Sequence, residues 1–266
     1  MRAITRGQRI YFGAVGLLAL WVGIWSYFIP DKVDKAIPWL VPPLHARFLG
    51  AMYLSGTTFM IGGILAQYYA EVKVMVRAIL IWTGMLFVIS LFYLGEFDYS
   101  RPQVWIWFGA YIIYPLIALW LIWKDRGLHE RLDGSHLPGW VRNYLLAQGV
   151  FVSALALILL LAPDFMVGVW PWKITRLLAQ IYSAPFLAYG ISSLMVSRLQ
   201  TWAEVRVVVT STFVFALGVL LASFLHNALF TFRNISTWIW FGGFLLATIT
   251  LGMLTMQAAW AKRATP

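Results

Sequence analysis

Eight stretches of mostly apolar residues, separated by short polar connections, constrain the fold of this chain more than any other feature. They cover residues 10–29, 48–68, 74–94, 104–123, 144–161, 177–197, 205–225 and 238–260. A helix of about 20 apolar residues spans the hydrocarbon core of a bilayer. The stretches are apolar on all sides and do not alternate, which favours helices over the strands of a membrane barrel. We therefore predict an all-α membrane protein with eight transmembrane helices.

The composition supports this class and excludes several others. Of the 266 residues, 61% are apolar and 11% are charged, whereas soluble domains are about half apolar and a quarter charged. Cysteine is absent, which excludes disulfide frameworks, thiolate zinc sites and iron–sulfur clusters. The net charge of +10 would indicate nucleic-acid binding in a soluble chain. Here the basic residues lie mostly in the connections, so we predict membrane lipids and no nucleic acid as partners.

The two halves of the chain resemble each other at an offset of 133 residues. The sequence AEVKV at 70–74 returns as AEVRV at 203–207, and WIWFG at 105–109 is repeated at 238–242. Such self-similarity indicates a duplicated unit. We predict two four-helix repeats, residues 1–133 and 134–266, which form one compact membrane domain. Because four helices return the chain to its starting side, both repeats are expected to have the same orientation.

The distribution of basic residues predicts the orientation in the membrane. With the N-terminus inside, thirteen of the 20 Lys and Arg residues fall on the inner side and seven on the outer side. Cytoplasmic connections carry an excess of Lys and Arg. We expect a multi-pass protein of the bacterial cytoplasmic membrane with both termini in the cytoplasm.

Two arginines at the outer ends of the second helix of each half are candidate ligand-binding residues. Arg47 and Arg176 each precede a tyrosine by six residues, at Tyr53 and Tyr182, and these four residues correspond at an offset of 129. Because arginine is a forked donor to phosphate or carboxylate, the pattern is consistent with two sites for an anionic head group. The alternative is that both arginines are interfacial anchors or pair with nearby carboxylates.

A second candidate set lies near the outer ends of the third and seventh stretches. Ser90 and Tyr93 are three residues apart and share a helix face, as do their counterparts Ser223 and His226. His226 could be a ligand to a porphyrin metal or a general base, or a histidine at the membrane–water boundary. Haem with two histidine ligands needs a second histidine at the same depth, and we place His45 in the connection before the second stretch.

The sequence contains no motif that requires a cofactor, a metal or a catalytic residue. It lacks the G-x-S-x-G, H-E-x-x-H and P-loop patterns. Charged residues inside membrane helices usually mark ion or substrate pathways, and essentially none is expected at mid-membrane depth. We assign no catalytic or metal-binding residue, and the cofactor is unknown, with a pigment, a quinone or a lipid each compatible with the sequence.

Two segments of the first half carry a resemblance to known sequences. The segments ARFLGAMY at 46–53 and EFDYSRPQVWIWF at 96–108 resemble a group of uncharacterised bacterial multi-pass membrane proteins. The four-helix unit is also similar, at the level of fold, to DoxX-type quinone-associated proteins. These resemblances imply a multi-pass helical topology and assign no chemistry.

Three functions fit these observations. The first is a non-catalytic integral subunit that packs against other membrane chains, lipids or pigments in a larger assembly. The second is a binder or carrier of a lipid-like or quinone-like molecule in the outer leaflet. The third is an enzyme at the outer face of the membrane. The lack of polar residues in the spans favours the first, so the chain is more consistent with a non-enzyme.

Overall fold

The computed structural model describes residues 1–39, 41–126 and 132–263, and this part of the chain forms nine α-helices and no strand. The helices in chain order are α1 (Arg6–Phe28), α2 (Pro43–Leu65), α3 (Lys73–Phe92), α4 (Pro102–Lys124), α5 (Gly139–Leu161), α6 (Pro163–Val169), α7 (Arg176–Val196), α8 (Trp202–Leu225) and α9 (Ile235–Arg263). Eight of them, all except α6, are long and apolar enough to cross a membrane. The prediction of an all-α protein with eight spans of this kind is therefore confirmed.

Two helices differ from the sequence prediction, α2 in its start and α6 in its presence, and both begin at a proline. Helix α2 starts at Pro43, five residues before the predicted stretch, because proline lacks only an N–H that the first helical turn would leave unpaired. His45 is consequently a buried residue of α2, so its placement in the preceding connection was wrong. The short helix α6 begins at Pro163 with Asp164 in its first turn. An acidic side chain at this position interacts favourably with the helix dipole and stabilises the helix.

Four helices form the centre of the bundle and four lie outside them. Helix α2 packs against α1 and α8, helix α7 packs against α5 and α3, α4 packs on α3, and α9 packs on α8. At least half of the spanning residues of α2, α3, α7 and α8 are buried, whereas less than a quarter are buried in α4, α5 and α9. Helix α2 of the first half therefore packs against α8 of the second half, and α7 of the second half packs against α3 of the first.

Glycines allow the closest helix contacts, between α1 and α2 and between α5 and α7. A Cβ atom on Gly50 would lie 2.6 Å from the backbone nitrogen of Tyr27, and one on Gly190 would lie 2.7 Å from that of Ser153. Small residues let helix backbones approach one another in membranes, where van der Waals packing drives association. Helices α1 and α5 are thus seated directly on the backbones of α2 and α7.

One end of the bundle, which we call the salt-bridge end, is closed by two ion pairs between the halves. Glu71 pairs with Arg206, and the Lys73 ammonium lies 3.3 Å from Glu204. Glu71 also accepts hydrogen bonds from the backbone N–H groups of Gln67 and Tyr68, at 2.8 and 3.0 Å. The starts of α3 and α8 are therefore tied together at this end.

The opposite end, which we call the tryptophan end, contains two similar clusters of rings. Trp39 and Trp107 lie 5.0 Å apart between ring centroids, and Trp172 and Trp240 lie 4.7 Å apart. In each cluster an indole N–H donates to a serine hydroxyl at 2.9 Å, from Trp107 to Ser90 and from Trp240 to Ser223. The first turns of α2 and α7 lie at this end.

Candidate functional site

The candidate site lies at the tryptophan end, where Arg47 of α2 meets His226 at the end of α8. Nη1 of Arg47 contacts Nε2 of His226. A guanidinium can only donate hydrogen bonds, so Nε2 of His226 must accept and the ring proton must be on Nδ1. The contact joins residues 179 positions apart in the sequence, and it exists because α8 packs against α2.

Partial burial and the charge of Arg47 favour the neutral form of the histidine. Burial, and then the charge of Arg47, lower the pKa of His226 below its usual value of 6.5. None of the ion pairs among the described residues includes Arg47. Arg47 is only partly exposed, so the pair presents one positive charge at an end of the bundle, and no carboxylate of the described residues pairs with it.

The corresponding position between the other two central helices carries no charge. There the hydroxyl of Tyr93, the residue that follows α3, donates to Oε1 of Gln180, from α7, at 2.5 Å. Tyr93 and Gln180 are offset by 133 residues from His226 and Arg47. The two contacts thus occupy corresponding places, but only the one formed by α2 and α8 can attract an anion.

Arg176, the expected counterpart of Arg47, lies outside both of these contacts. Its Nε atom is 3.0 Å from Oδ1 of Asp164, and the two side chains are 67% and 71% exposed. This matches the alternative in which an arginine pairs with a nearby carboxylate. Exposed pairs of this kind contribute roughly 0–1 kcal/mol to stability.

Tyr182 belongs to a buried network with His45, which the sequence analysis did not assign to a site. The hydroxyl of Tyr182 lies 2.7 Å from Nδ1 of His45, and Nε1 of Trp172 lies 3.5 Å from the same atom. Both Tyr182 and His45 are buried. A hydrogen bond from Tyr182 to Nδ1 leaves the ring proton on Nε2, and the network links the first turn of α2 to α7.

Tyr53 lies on a different face of α2 from Arg47 and lines an internal cavity. Its hydroxyl contacts the hydroxyl of Tyr111. The cavity has a volume of about 70 Å³ and is bordered by α1, α2, α3, α4 and α7. Six residues separate Arg47 from Tyr53 along α2, which places the Cα atom of Tyr53 about 9 Å further along the helix axis.

Of the eight predicted site residues, the structure brings only Arg47 and His226 into mutual contact as a charged site. Ser90 and Ser223 each donate to a carbonyl of their own helix, at 2.7 and 2.8 Å, and accept from tryptophan. No group of three or more His, Cys, Asp or Glu residues in the described ranges could hold a metal ion.

Comparison with known proteins returns no relative for this chain. No family model matches it, and neither a curated protein nor a solved structure is similar to it. The resemblances to bacterial multi-pass proteins and to DoxX-type proteins therefore stay predictions.

Proposed function

We propose that this membrane protein binds an anionic, lipid-like molecule through Arg47 and His226 at the tryptophan end of the bundle. The observation that carries the proposal is the partly buried guanidinium of Arg47, which has no carboxylate partner among the described ion pairs and is held between two halves of the molecule. Arginine binds phosphate and carboxylate oxygens through paired N–H groups. A lipid phosphate at this position would supply the missing negative charge.

The surroundings of Arg47 favour an amphiphile over a small soluble anion. Neighbouring spans expose large apolar side chains, including Phe28 at 65% and Leu225 at 67%. Phe28 ends α1 and Leu225 ends α8, so both lie at the same end of the bundle as Arg47. An apolar chain that follows these exposed surfaces would remain in the hydrocarbon while the head group reaches the guanidinium.

Replacing Arg47 with glutamine should reduce retention of an anionic lipid by about tenfold or more. A hydrogen bond to a charged group contributes about 1.5–3 kcal/mol, and 1.4 kcal/mol corresponds to a factor of ten. The measurement is the amount of phosphatidylglycerol that stays bound to the purified protein, determined by native mass spectrometry. Phosphatidylcholine, which carries no net charge, measures the background.

Two further variants separate a specific site from general surface charge. Arg176→Gln removes the same charge from an exposed ion pair and should leave retention unchanged. Gln180→Arg with Tyr93→His introduces the Arg–His pair at the corresponding contact of α7 and α3, and should add a second bound lipid. Equal retention by the wild type and Arg47→Gln would disprove the proposed function.

The binding should also strengthen as the pH falls. In the free protein the pKa of His226 is below 6.5 because of burial and Arg47, whereas a bound anion favours the protonated ring and raises that pKa. Binding is then linked to uptake of a proton, so affinity rises when the pH is lowered through this range, by at most about tenfold per pH unit. His226→Gln should bind with no such dependence. A phosphate diester keeps its own charge constant across the titration.

We also propose the finer architecture that the sequence predicts, namely two four-helix repeats of the same orientation. It is supported by contacts that occur in pairs offset by 133 residues, such as those of Trp39 with Phe97 and of Trp172 with Phe230, each 5.4 Å between centroids. The basic residues of the N-terminal segment lie at the salt-bridge end, since the backbone of Ile4 bonds to Gln67 at 2.9 Å. This supports a cytoplasmic salt-bridge end and an outer tryptophan end in a bacterial cytoplasmic membrane.

The role as a non-catalytic subunit of a larger assembly stays a prediction alongside lipid binding. The exposed apolar surfaces of α4, α5 and α9 would be covered equally well by lipid or by other chains. Native mass spectrometry of the extracted protein tests both roles, because a partner chain at fixed stoichiometry and a bound lipid give different mass increments.

A further inference from the structure

The cavity of about 70 Å³ beside Tyr53 lies within the bundle, separate from the Arg47 site. Its wall includes Trp82, Phe59 and Tyr189, and none of the described residues that line it is charged. Transfer of an ion into such surroundings is very unfavourable. A ligand of this cavity must therefore be neutral and largely apolar.

The paired hydroxyls of Tyr53 and Tyr111 leave one hydrogen-bond donor unused. The two phenols contact each other, and no other hydrogen bond of either hydroxyl is formed within the described chain. One O–H donates within the pair, so the second proton has no acceptor there. Two other hydroxyls of the wall are already engaged, with Thr83 donating to a helix carbonyl at 2.6 Å and Tyr189 reaching the Met52 carbonyl at 3.5 Å.

The cavity borders a weak seam between two outer helices. Helices α1 and α4 hardly pack against each other within the described ranges, and hydrogen bonds from Tyr11 to the Tyr114 carbonyl at 2.8 Å and from Tyr114 to the Ala14 carbonyl at 3.4 Å connect them. Tyr114 and Val15 line the cavity at this seam. A molecule dissolved in the hydrocarbon would enter the cavity at this seam.

We propose that the cavity binds the carbonyl end of a neutral, membrane-soluble molecule, with the unused phenol proton donated to the carbonyl oxygen. An apolar cavity of roughly 150 Å³ accommodates benzene, so a cavity of about 70 Å³ takes only the carbonyl and the atoms next to it. Met60 and Met75 also line it, and flexible methionines adapt their shape to a ligand.

The test compares two probes that differ only in the carbonyl group, a long-chain methyl ketone and the alkane of equal length. Occupancy of the purified protein is measured by native mass spectrometry. One hydrogen bond contributes about 1 kcal/mol net, so we expect the ketone to bind about fivefold more tightly than the alkane. Equal occupancy by the two probes, or occupancy by neither, would overturn the proposal.

Variants of the tyrosine pair give a sharper criterion. Tyr53→Phe and Tyr111→Phe each leave one hydroxyl with a free proton, so each single variant should keep the preference for the ketone. The double variant has no phenol proton to donate and should lose it. A double variant that still prefers the ketone would contradict the proposal, and the single variants report whether either substitution disturbs folding.

Gly56 provides a matched test of the cavity itself. A Cβ atom at this position would meet its nearest neighbour, Trp82, at 3.8 Å, so Gly56→Ala should fold and bind normally. Gly56→Leu extends into the cavity and should abolish binding of both probes. Undiminished binding by a folded Gly56→Leu variant would place the ligand elsewhere and disprove the assignment.

Discussion

Substituting Gly50 with alanine is expected to lower the free energy of unfolding by about 1–3 kcal/mol, which is a large effect for one added methyl group. The new Cβ atom would lie 2.6 Å from the backbone nitrogen of Tyr27 and 2.8 Å from its Cα atom. Backbone atoms cannot rotate away as a side chain can, so α1 and α2 must separate along their contact. Leucine at this position should cost still more.

The matched control is Gly13→Ala in helix α1, where an added Cβ atom meets nothing within 4 Å. Alanine is favoured over glycine in a helix by roughly 0.5–1 kcal/mol, so this variant should be neutral or slightly more stable. Unfolding in mixed micelles of mild detergent and dodecyl sulfate, followed by circular dichroism, measures both. If the two substitutions had the same effect, close packing at Gly50 would not explain the stability of the α1–α2 contact.

Glu71→Ala is expected to have the other large effect, a loss of about 2–4 kcal/mol. Removing one partner of a buried ion pair costs about 3–5 kcal/mol, and we discount this because the Arg206 side chain is 26% exposed whereas Glu71 is 6% exposed. The substitution also removes the acceptor of two backbone N–H groups, those of Gln67 and Tyr68. Unpaired buried donors add to the cost.

Glu96→Ala is the control for this prediction, because Glu96 is exposed and forms none of the ion pairs of the described residues. A double-mutant cycle of Glu71→Ala with Arg206→Ala then isolates the interaction between the two side chains. A coupling energy near zero would mean that the backbone hydrogen bonds of Glu71, and not the pairing with Arg206, provide the stability.

The transmembrane helices could be predicted because their signal is local. Length and hydropathy are properties of each segment alone, and the bilayer requires both. The ends of the segments were less certain, because the apolar pattern does not report the prolines that begin a helix. At α2 this displaced the predicted start by five residues and left His45 in a connection.

The contacts of the site residues depend on which helices meet, and the sequence carries no direct signal for that. His45 and Tyr182 are 137 residues apart, and no spacing rule links them. Residue identity relates Arg47 to Arg176 at an offset of 129, whereas the contact of Gln180 with Tyr93 is offset by 133 from that of Arg47 with His226. Identity of side chains alone does not indicate which of these residues make similar contacts.

Of the two residues of the proposed site, Arg47 has a recognisable property in the sequence. Arg47 lies within an otherwise apolar helix, and a charge there is costly unless a partner or a ligand compensates it. The sequence could therefore single out Arg47, and it offered His226 as a separate candidate, but it gave no signal that the two residues meet. Their contact became apparent only once α8 was seen to pack on α2.

Each half of the chain packs its central helices against those of the other half, and this pairing determines how the bundle unfolds. Because α2 rests on α8 and α7 rests on α3, neither half can leave the other without exposing both of its own inner helices. The ion pairs of Glu71 and Glu204 span the same division. Unfolding should consequently be a single cooperative event, and two separately expressed halves should recombine into an intact molecule or fail to accumulate at all.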